Sequence, residues 1–557
     1  MNRILPIPTI FLLAMSTTAL AQQPVTIQVD ASQKLGTLKP IWNYFGYDEP
    51  NYTYAKNGRK LIHELAALSK TPVHIRAHNL LTTGDGTPAL KWGSTNAYTE
   101  DASGKPVYNW TIVDKILQTY LDAGATPFVE IGFMPKALST HPDPYQHTFP
   151  KGSVFTGWSY PPNDYGKWSE LVYQWVKHSV DKYSKAQVES WDWEVWNEPN
   201  ISYWHGTPEE YDKLYDYTAD AVKRALPTAR VGGPATTGPA NQKAAAFLRQ
   251  FLEHCATGKN YATGKTGAPL DFISYHAKGR PDVVEQHVRM GISKHMQDVS
   301  EGFKIVRTFP KFRDLPIVLS ESDPEGCAAC SARTFPPNAY RNGTLYPTYN
   351  AVAINTILDL ASRDDVNLEG MLTWAFEFED QPWFDGFRTL ATNGVDKPVL
   401  NVFRMAGLMQ GDRVKATSDG AVATDAIVAD GVRQKPDVGA LAAGSDHHLS
   451  VLVWNYQDDD IAGPAAEIRL HASGIPRGTK RVLVRHYRID QTHSNAYTVW
   501  KQMGAPQKPN DEQYKTLEEA GQLQLLSSPY WTNVRDGAAE LNFSLPLQGL
   551  SLVELSW

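Results

Sequence analysis

Residues 191–200 read Trp-Asp-Trp-Glu-Val-Trp-Asn-Glu-Pro-Asn, and this stretch decides which fold the sequence predicts. The run from residue 188 to 196 alternates and is rich in aromatic side chains, a pattern typical of a β-strand that Asn197-Glu198-Pro199 ends. In a barrel of parallel strands the carboxyl ends display the catalytic groups, and Glu198 falls at such an end. An isolated Asn-Glu-Pro tripeptide is more often a surface turn. The aromatic strand before it favours a functional role for Glu198.

The sequence around this stretch repeats an alternation of strands and helices. Between about residues 43 and 403, short β-rich runs alternate with amphipathic stretches, as βα units require. Residues 113–122 and 211–223 carry apolar side chains at helical spacing and predict helices of an outer ring. Barrel strands are predicted at residues 73–76, 126–131, 191–196, 230–233, 272–275, 316–320 and 370–374, with one of poorer pattern at 45–47. The predicted fold is an α/β protein with a (β/α)8 TIM barrel.

The sequence pattern changes after about Gly411. Helical periods vanish, and β-rich runs such as residues 449–454, 482–488 and 550–555 are separated by Gly, Pro and Asp, which predicts an all-β sandwich. The predicted domains are a signal peptide at residues 1–21, a catalytic barrel at 22–410 and the β-sandwich at 411–557. An alternative for the first residues of the barrel region is a strand that joins the β domain.

The N-terminus predicts export. Arg3, an apolar stretch at residues 4–14 and Ala19-Leu-Ala21 stand in the order of a cleavable signal peptide. No later stretch reaches about 18 continuous apolar residues, so the sequence predicts a periplasmic or secreted protein that does not enter a membrane. The net charge of −7, with no basic run longer than Lys311-Phe-Arg313, argues against a nucleic-acid partner. No feature indicates a particular oligomeric state.

Cysteine usage fits the same compartment. The pair in Cys327-Ala-Ala-Cys330 could form a redox motif, half of a zinc site or a local disulfide, and in an exported chain the disulfide is favoured. Cys255 lies in a stretch with helical spacing and is expected to be a buried structural thiol. No cluster with metal-ligand spacing is visible, and no metal or cofactor is predicted.

A second carboxylate is needed if Glu198 takes part in cleaving a sugar acetal. One carboxylic acid protonates the leaving oxygen, while another carboxylate captures or stabilises the oxocarbenium-like centre. The predicted strand 316–320 leads directly into Glu321, our candidate nucleophile. Asp323 and Glu325 follow further along and are expected to be surface or loop-anchoring groups.

The motif Trp196-Asn-Glu-Pro-Asn200 resembles the acid/base motif of retaining glycoside hydrolases with a (β/α)8 barrel, in particular glycoside hydrolase family 39, which includes β-xylosidases and α-L-iduronidases. The resemblance implies that Glu198 is the general acid/base, that Asn197 before it belongs to the site, and that the nucleophile ends strand seven, where Glu321 falls. It spans roughly residues 40–557. Around Glu321 the sequence departs from the family's xylosidases, which typically carry Thr-Glu-Phe or similar where this chain has Ser-Glu-Ser.

The resemblance also implies substrate-binding residues. Arg76 and His78 match the family's Arg-x-His, His276 matches a sugar-contacting histidine, and Trp374 and Glu379 match a tryptophan and an acid of strand eight. Chemically, an arginine can keep a nucleophilic carboxylate ionised, and a tryptophan can offer an apolar platform to a pyranose. An ordinary ion pair for Arg76 and a structural role for His276 are the alternatives.

Two cations bear on which sugar is bound. Lys278 and Arg388 resemble the cations with which the iduronidase branch holds a uronate carboxylate, although ion pairs with Glu321 or Glu379 are an equal alternative. The strand-eight tryptophan and the stretches 130–139 and 488–497 are instead xylosidase-like. The sequence therefore favours a retaining, exo-acting β-D-xylosidase for short xylo-oligosaccharides. A glycosidase for a uronide or another glycoside ranks second, and a non-catalytic carbohydrate-binding protein is the alternative from another class.

Overall fold

The computed structural model describes residues 23–147 and 154–557, and its centre is a closed barrel of eight parallel strands. In barrel order they are β1 (Tyr44–Tyr47), β2 (His74–Ala77), β3 (Thr126–Ile131), β4 (Asp192–Val195), β5 (Arg230–Thr236), β6 (Phe272–Lys278), β7 (Ile317–Asp323) and β8 (Leu368–Trp374). Pairing of β8 with β1 closes the barrel. The predicted (β/α)8 fold is confirmed, including the strand with the poorer pattern. The predicted signal peptide lies outside the described residues.

Each barrel strand is followed by a helix of the outer ring. The helices are α1 (Lys56–Ala66), α2 (Thr111–Ala123), α3 (Tyr165–Tyr183), α4 (Pro208–Ala225), α5 (Gln242–Thr257), α6 (Ile292–Arg307), α7 (Leu345–Arg363) and α8 (Pro398–Leu408). Short helical segments lie at Pro50–Tyr52, Lys136–Leu138, Lys185–Val188 and Pro336–Asn342. Small hairpins pair Tyr98–Glu100 with Pro106–Tyr108, Tyr145–His147 with Val154–Gly157, Asp282–Val284 with His287–Arg289, and Ala391–Thr392 with Val395–Asp396.

The barrel strands are covered on both faces, by helices outside and by packed side chains inside. β3 and β7 are buried at every position, as expected of parallel strands between two layers. Large apolar side chains fill the interior, namely Tyr44, Phe128, Phe272, Val318, Leu372 and Trp374. Because the interior is a packed core and not a pore, a ligand has access to the carboxyl-end face formed by the βα loops.

The second domain is a curled ten-stranded sheet that forms the predicted β-sandwich. It contains an N-terminal strand, Val25–Thr37, together with Asp412–Ser418, Asp437–Ser445, His448–Tyr456, Ala466–Ser473, Arg481–Ile489, Gln524–Leu525, Tyr530–Asn533, Ala539–Leu545 and Gly549–Ser556. The N-terminal strand runs parallel to Ala466–Ser473 and antiparallel to Asp412–Ser418. From residue 25 onward the chain therefore passes from the β domain through the barrel and back to the β domain.

Three helices that the sequence pattern did not reveal lie in this C-terminal region, at Thr424–Asp430, Ala496–Gln502 and Asp511–Gly521. They are 7, 7 and 11 residues long, too short for a clear helical period. The last two pack on the loop after β8, where Trp500 lies against Phe384 and Gln507 accepts a hydrogen bond from the backbone N–H of Trp383. The β domain thus supports a loop of the catalytic face.

The cysteines have the predicted states. Cys327 and Cys330 form a disulfide with their Cα atoms 5.6 Å apart, in the loop after β7. Cys255 is a buried free thiol on α5. Among the described residues, no helix is long and apolar enough to cross a bilayer.

Gly46 on β1 provides a test of the packing between β1 and β8. A Cβ atom at this position would lie 2.5 Å from the indole ring of Trp374 and 2.9 Å from the backbone oxygen of Arg76. We expect Gly46→Ala to lower the free energy of unfolding by about 1–3 kcal/mol, because neither neighbour can move without disturbing the barrel. Urea unfolding of the wild type and the variant measures this difference in the free energy of unfolding. The control is Gly326→Ala, where a Cβ would meet nothing within 4 Å; equal stability of the two variants would contradict the prediction.

Candidate active site

The two predicted carboxylates meet at the carboxyl end of the barrel. Glu198 lies just after β4, and Glu321 lies within β7, which ends at Asp323 and so extends further than predicted. One carboxylate oxygen of each, together with a ring nitrogen of His276, lie within 4.8 Å of one another. Such spacing would also suit metal ligands, but the ammonium group of Lys278 against Glu321 disfavours a further cation there.

The backbone around Glu198 is held in an unusual conformation. Trp196 and Glu198 have φ angles of 71° and 44°, in the left-handed region that non-glycine residues rarely adopt. The backbone N–H of Glu198 donates to the carbonyl of Ala235 at 2.9 Å, and the indole N–H of Trp196 donates to the carbonyl of Tyr203 at 2.8 Å. Strain of this kind, about 1–3 kcal/mol per residue, occurs at sites where the surroundings fix the side chain.

His276, at the end of β6, holds the side chain of Glu198. Its Nδ1 atom lies 2.8 Å from a carboxylate oxygen of Glu198 and 3.8 Å from one of Glu321. The imidazole is fully buried, whereas the Glu198 side chain is 13% exposed. His276 therefore connects the two carboxylates, and of the pair Glu198 is the more accessible to a ligand.

Glu321 is surrounded by cationic groups. Lys278 contacts one carboxylate oxygen, and Arg76 and His78 lie 3.3 and 3.4 Å from the other. Burial alone raises the pKa of Glu321, but the attraction of His276, Lys278 and His78 outweighs it and holds the pKa well below the usual value. Glu321 is therefore ionised at neutral pH, as a carboxylate nucleophile must be.

Arg76 joins the strands of the site through its guanidinium. It is fully buried and contacts Glu194 at 2.5 Å, Glu130 at 2.9 Å and the side-chain oxygen of Asn197 at 3.1 Å. Burial lowers the pKa of Arg76, but Glu194 and Glu130 more than compensate and raise it above its ordinary value. Asn197 is thereby oriented by the same arginine that neutralises Glu321.

Trp374 and His78 form one wall of the site. The His78 ring lies 4.2 Å from the Trp374 ring, and the Arg76 guanidinium lies 5.1 Å from it. Trp374 was expected to offer a platform to a sugar, but it is only 2% exposed. Its main contacts are with the barrel core, His78 and Arg76.

The structure places Arg388 away from the role expected of it. Its fully buried guanidinium pairs with Glu325 at 2.8 Å and Asp323 at 3.5 Å, and its Nε donates to the carbonyl of Trp374 at 2.9 Å. Its ion pairs are with these two acids and not with Glu321, and the expected contact with a sugar carboxylate, which these pairs disfavour, stays a prediction. Asp323 is also not a surface group, because it ends β7, is buried, and accepts a hydrogen bond from the backbone of Trp374.

Glu379 and Glu325 bind to neighbouring loops. Glu379 accepts hydrogen bonds from the backbone and side-chain nitrogens of Asn57 at 2.6 and 2.9 Å, in the first turn of α1. Glu325 pairs with Arg341 at 2.9 Å in addition to Arg388, as expected of a loop-anchoring group. The structure thus brings eight of the predicted site residues together at the carboxyl end of the barrel, here called the mouth: Arg76, His78, Asn197, Glu198, His276, Lys278, Glu321 and Trp374. Glu379 and Arg388 lie beside it, in contact with the loops that support it.

Four buried residues of the site were missed by sequence reasoning. Glu130 on β3 and Glu194 on β4 contact Arg76, and Asp48 and Lys91 form an ion pair at 2.6 Å beside His78. Asp48 directly follows β1, so the strand-end rule could have found it. Lys91 lies in a loop with no recognisable pattern.

A (β/α)8 barrel with a carboxylate after β4 and another at the end of β7 defines this protein as a glycoside hydrolase. The chain belongs to Glycosyl hydrolases family 39, whose sequence model matches residues 25–530. The family resemblance inferred from the motifs is confirmed.

Relatives of two kinds are similar to this chain. A β-xylosidase of Geobacillus stearothermophilus is 29% identical over 86% of each chain. An α-L-iduronidase of Mus musculus is 25% identical over 96% of this chain and 82% of its own length. The crystal structure of a monomeric β-xylosidase from Caulobacter crescentus CB15 matches with a TM-score of 0.74 at 21% identity, over 95% of this chain and 99% of that chain. At that identity the structural likeness concerns the fold alone.

The position of Arg388 predicts a loss of stability when its charge is removed. Arg388→Met would leave buried Asp323 without its nearest cation and Glu325 with Arg341 alone, and we expect the free energy of unfolding to fall by about 3–5 kcal/mol. The control is Arg313→Met, which should cost less than about 1 kcal/mol, because Arg313 pairs with Asp314 at 3.5 Å and both side chains are more than half exposed. Urea unfolding compares them, and similar losses would mean that Arg388 is not held as a structural ion pair.

Proposed function

We propose that this protein is a retaining, exo-acting β-D-xylosidase that releases xylose from short xylo-oligosaccharides by double displacement. The observation that supports double displacement is that one carboxylate oxygen of Glu198 lies within 4.8 Å of one of Glu321, which favours the shorter of the two known separations. Retaining glycosidases have a separation of about 5–5.5 Å, whereas inverting enzymes need about 6.5–9.5 Å to admit a water molecule.

In the proposed mechanism Glu321 attacks the anomeric carbon while Glu198 donates a proton to the leaving oxygen. A covalent glycosyl-enzyme forms, and Glu198 then accepts a proton from the water that hydrolyses it. The cations around Glu321 keep it ionised for attack and stabilise it again as the leaving carboxylate. His276, in contact with Glu198, orients the acid/base.

Exo action is supported by the enclosure of the site. The side chains of Glu321, Glu198 and Lys278 are only 5%, 13% and 17% exposed. A site whose reactive side chains are so little exposed is expected to admit the end of an oligosaccharide more readily than the middle of a chain.

The choice of a neutral sugar rests on the positions of the cations. A uronate held by paired Lys and Arg would need both groups to be free, but Arg388 is engaged by two acids and Lys278 contacts Glu321. The β-xylosidase relatives point in the same direction. A uronide remains the second candidate, because Lys278 is 17% exposed and α-L-iduronidases are among the relatives.

The catalytic assignment is tested with an aryl β-xyloside. We expect Glu321→Gln to abolish turnover and Glu198→Gln to lower kcat by about 10²–10⁴-fold, the usual contribution of a general acid. Glu189→Gln, which alters a partly exposed acid before β4 and outside the site, should keep the wild-type rate. Equal rates in all variants would favour a non-catalytic binding protein. NMR detection of the first-formed anomer tests the mechanism, since inversion would exclude double displacement.

The sugar is identified by comparing an aryl β-xyloside, an α-arabinoside and a uronide at equal concentration. We expect the highest kcat/KM for the xyloside, since the site presents no free pair of cations to a uronate. A uronide preference that Lys278→Met abolishes would replace the xylosidase proposal with the second candidate.

We also propose that the chain is exported, with residues 1–21 removed. The order of charge, apolar core and small residues supports this, and a disulfide such as Cys327–Cys330 persists in oxidising compartments. Fractionation of cells that express the chain with and without residues 2–21 tests it, because only the longer form should leave the cytoplasm.

A further inference from the structure

A buried chain of charged groups extends from Glu321 away from the acid/base. His78 lies with Nε2 3.4 Å from Glu321 and 3.0 Å from Glu130, while its Nδ1 lies 2.7 Å from Asp48. The other carboxylate oxygen of Asp48 accepts a hydrogen bond from Lys91 at 2.6 Å. All of these side chains are less than one tenth exposed.

We propose that Asp48 is a positioning residue that acts through His78, keeping the imidazole protonated so that it holds the nucleophile Glu321 in its ionised form. The proposal rests on the nucleophile role given to Glu321 above and extends it to a residue outside the catalytic pair. Asp48 does not touch Glu321 itself, and its effect depends on the histidine between them.

The surroundings of His78 contain groups that favour either protonation state. Arg76 lies 3.1 Å from Nε2, a contact that suits a neutral imidazole accepting a hydrogen bond. Carboxylates at both ring nitrogens suit the imidazolium instead. The titratable and charged groups that face this region are Asp48 and Glu49 after β1, Arg76 on β2, Glu130 on β3, Glu321 on β7 and Lys91 in the loop after β2. Burial lowers the pKa of His78, but Glu130, Asp48 and Glu321 together raise it well above the usual value.

Several contacts keep Asp48 anionic and hold it in place. Burial raises its pKa, but Lys91 and His78 outweigh that effect and hold the pKa well below the usual range. Asn79 donates to its backbone carbonyl at 2.8 Å. Lys91 has a φ angle of 60°, and its backbone N–H donates to Glu49 at 2.8 Å. Burying a carboxylate costs free energy unless a cation pairs with it. The partners of Asp48 are Lys91 and His78, and its Oδ1 atom faces His78.

The same arrangement serves both halves of the proposed reaction. A positive His78 favours the ionised carboxylate that attacks the sugar. In the second half, Glu321 is the leaving group and regains its negative charge as the glycosyl bond breaks, so a fixed cation beside it lowers that barrier too. Asp48 would therefore affect both kcat/KM and kcat.

The pH dependence of hydrolysis distinguishes this role from others. The acid limb of kcat/KM reports ionisation of the nucleophile in the free enzyme. In Asp48→Asn the amide no longer stabilises the imidazolium, so His78 loses its proton, the pKa of Glu321 rises, and the acid limb should move up by about one pH unit. Direct repulsion between Asp48 and Glu321 would give the opposite sign, because removing a negative charge lowers the pKa of its neighbour. No shift, or a downward shift, overturns the proposal.

Two further variants make the test specific. Glu49→Gln changes the adjacent buried acid, which contacts the backbone of Lys91 and not His78. Burial and Asp48 raise the pKa of Glu49 to about 8, so the amide replaces a largely uncharged group and the acid limb should stay in place. In a His78→Gln background, Asp48→Asn should no longer move the limb upward. If Asp48→Asn does not fold, His78→Gln alone must still raise the limb.

A measurement without turnover separates this proposal from the proposed function. Carbodiimides modify protonated carboxyl groups, so the pH dependence of Glu321 labelling, followed by peptide mass spectrometry, reports its ionisation directly. Wild-type protein that hydrolyses no aryl glycoside would overturn the proposed function. Labelling of Glu321 that follows the same pH curve in wild type and Asp48→Asn would overturn the role of Asp48.

Discussion

The mouth of the barrel depends on the mutual compensation of buried charges around Arg76. Its fully buried guanidinium contacts Glu130, Glu194 and Glu321, so one cation on β2 joins acids from β3, β4 and β7. Removing an ion from water costs several kcal/mol even after the protein relaxes, and one group stays charged only while its partners stay in place. The apolar interior closes the barrel, but this network sets the relative positions of the strand ends. The ion pairs of Arg76 therefore both balance the buried charges and fix the positions of the side chains at the site.

Two chemically identical side chains can take different roles only if their surroundings differ. Lys278, Arg76 and His78 face Glu321, whereas the ion-pair contact of Glu198 is with His276 and its side chain is more exposed. The cations thus collect around Glu321, where the proposed mechanism needs an ionised nucleophile. Glu198 on the β4 side contacts fewer cationic groups and is more exposed. This asymmetry follows from which strands carry the basic residues.

The sequence predicted what depends on local pattern. The aromatic alternation before Glu198 identified β4, and the strand-end rule located Glu321, because the barrel brings the carboxyl ends of its strands together. Sequence reasoning was less informative where the role of a residue depends on the direction of its side chain. Arg388 follows β8 and lies near acids in sequence, but only the packed loop shows that its guanidinium faces Asp323 and Glu325 and not the pocket. Lys91 comes from a patternless loop, so its contact with Asp48 required the folded chain.

Under the proposed function, charge balance also bears on which sugar the site would hold. A lysine and an arginine could bind a uronate, yet the lysine here contacts Glu321 and lies 3.9 Å from Asp323, and the arginine is neutralised by Asp323 and Glu325. A bound uronate would compete with Glu321 for Lys278 and would weaken the attraction that keeps Glu321 ionised. A neutral pentose creates no such competition. Selectivity in a site of this kind therefore resides as much in the acids that engage the cations as in the cations themselves, and a cation motif alone is a poor guide to substrate charge.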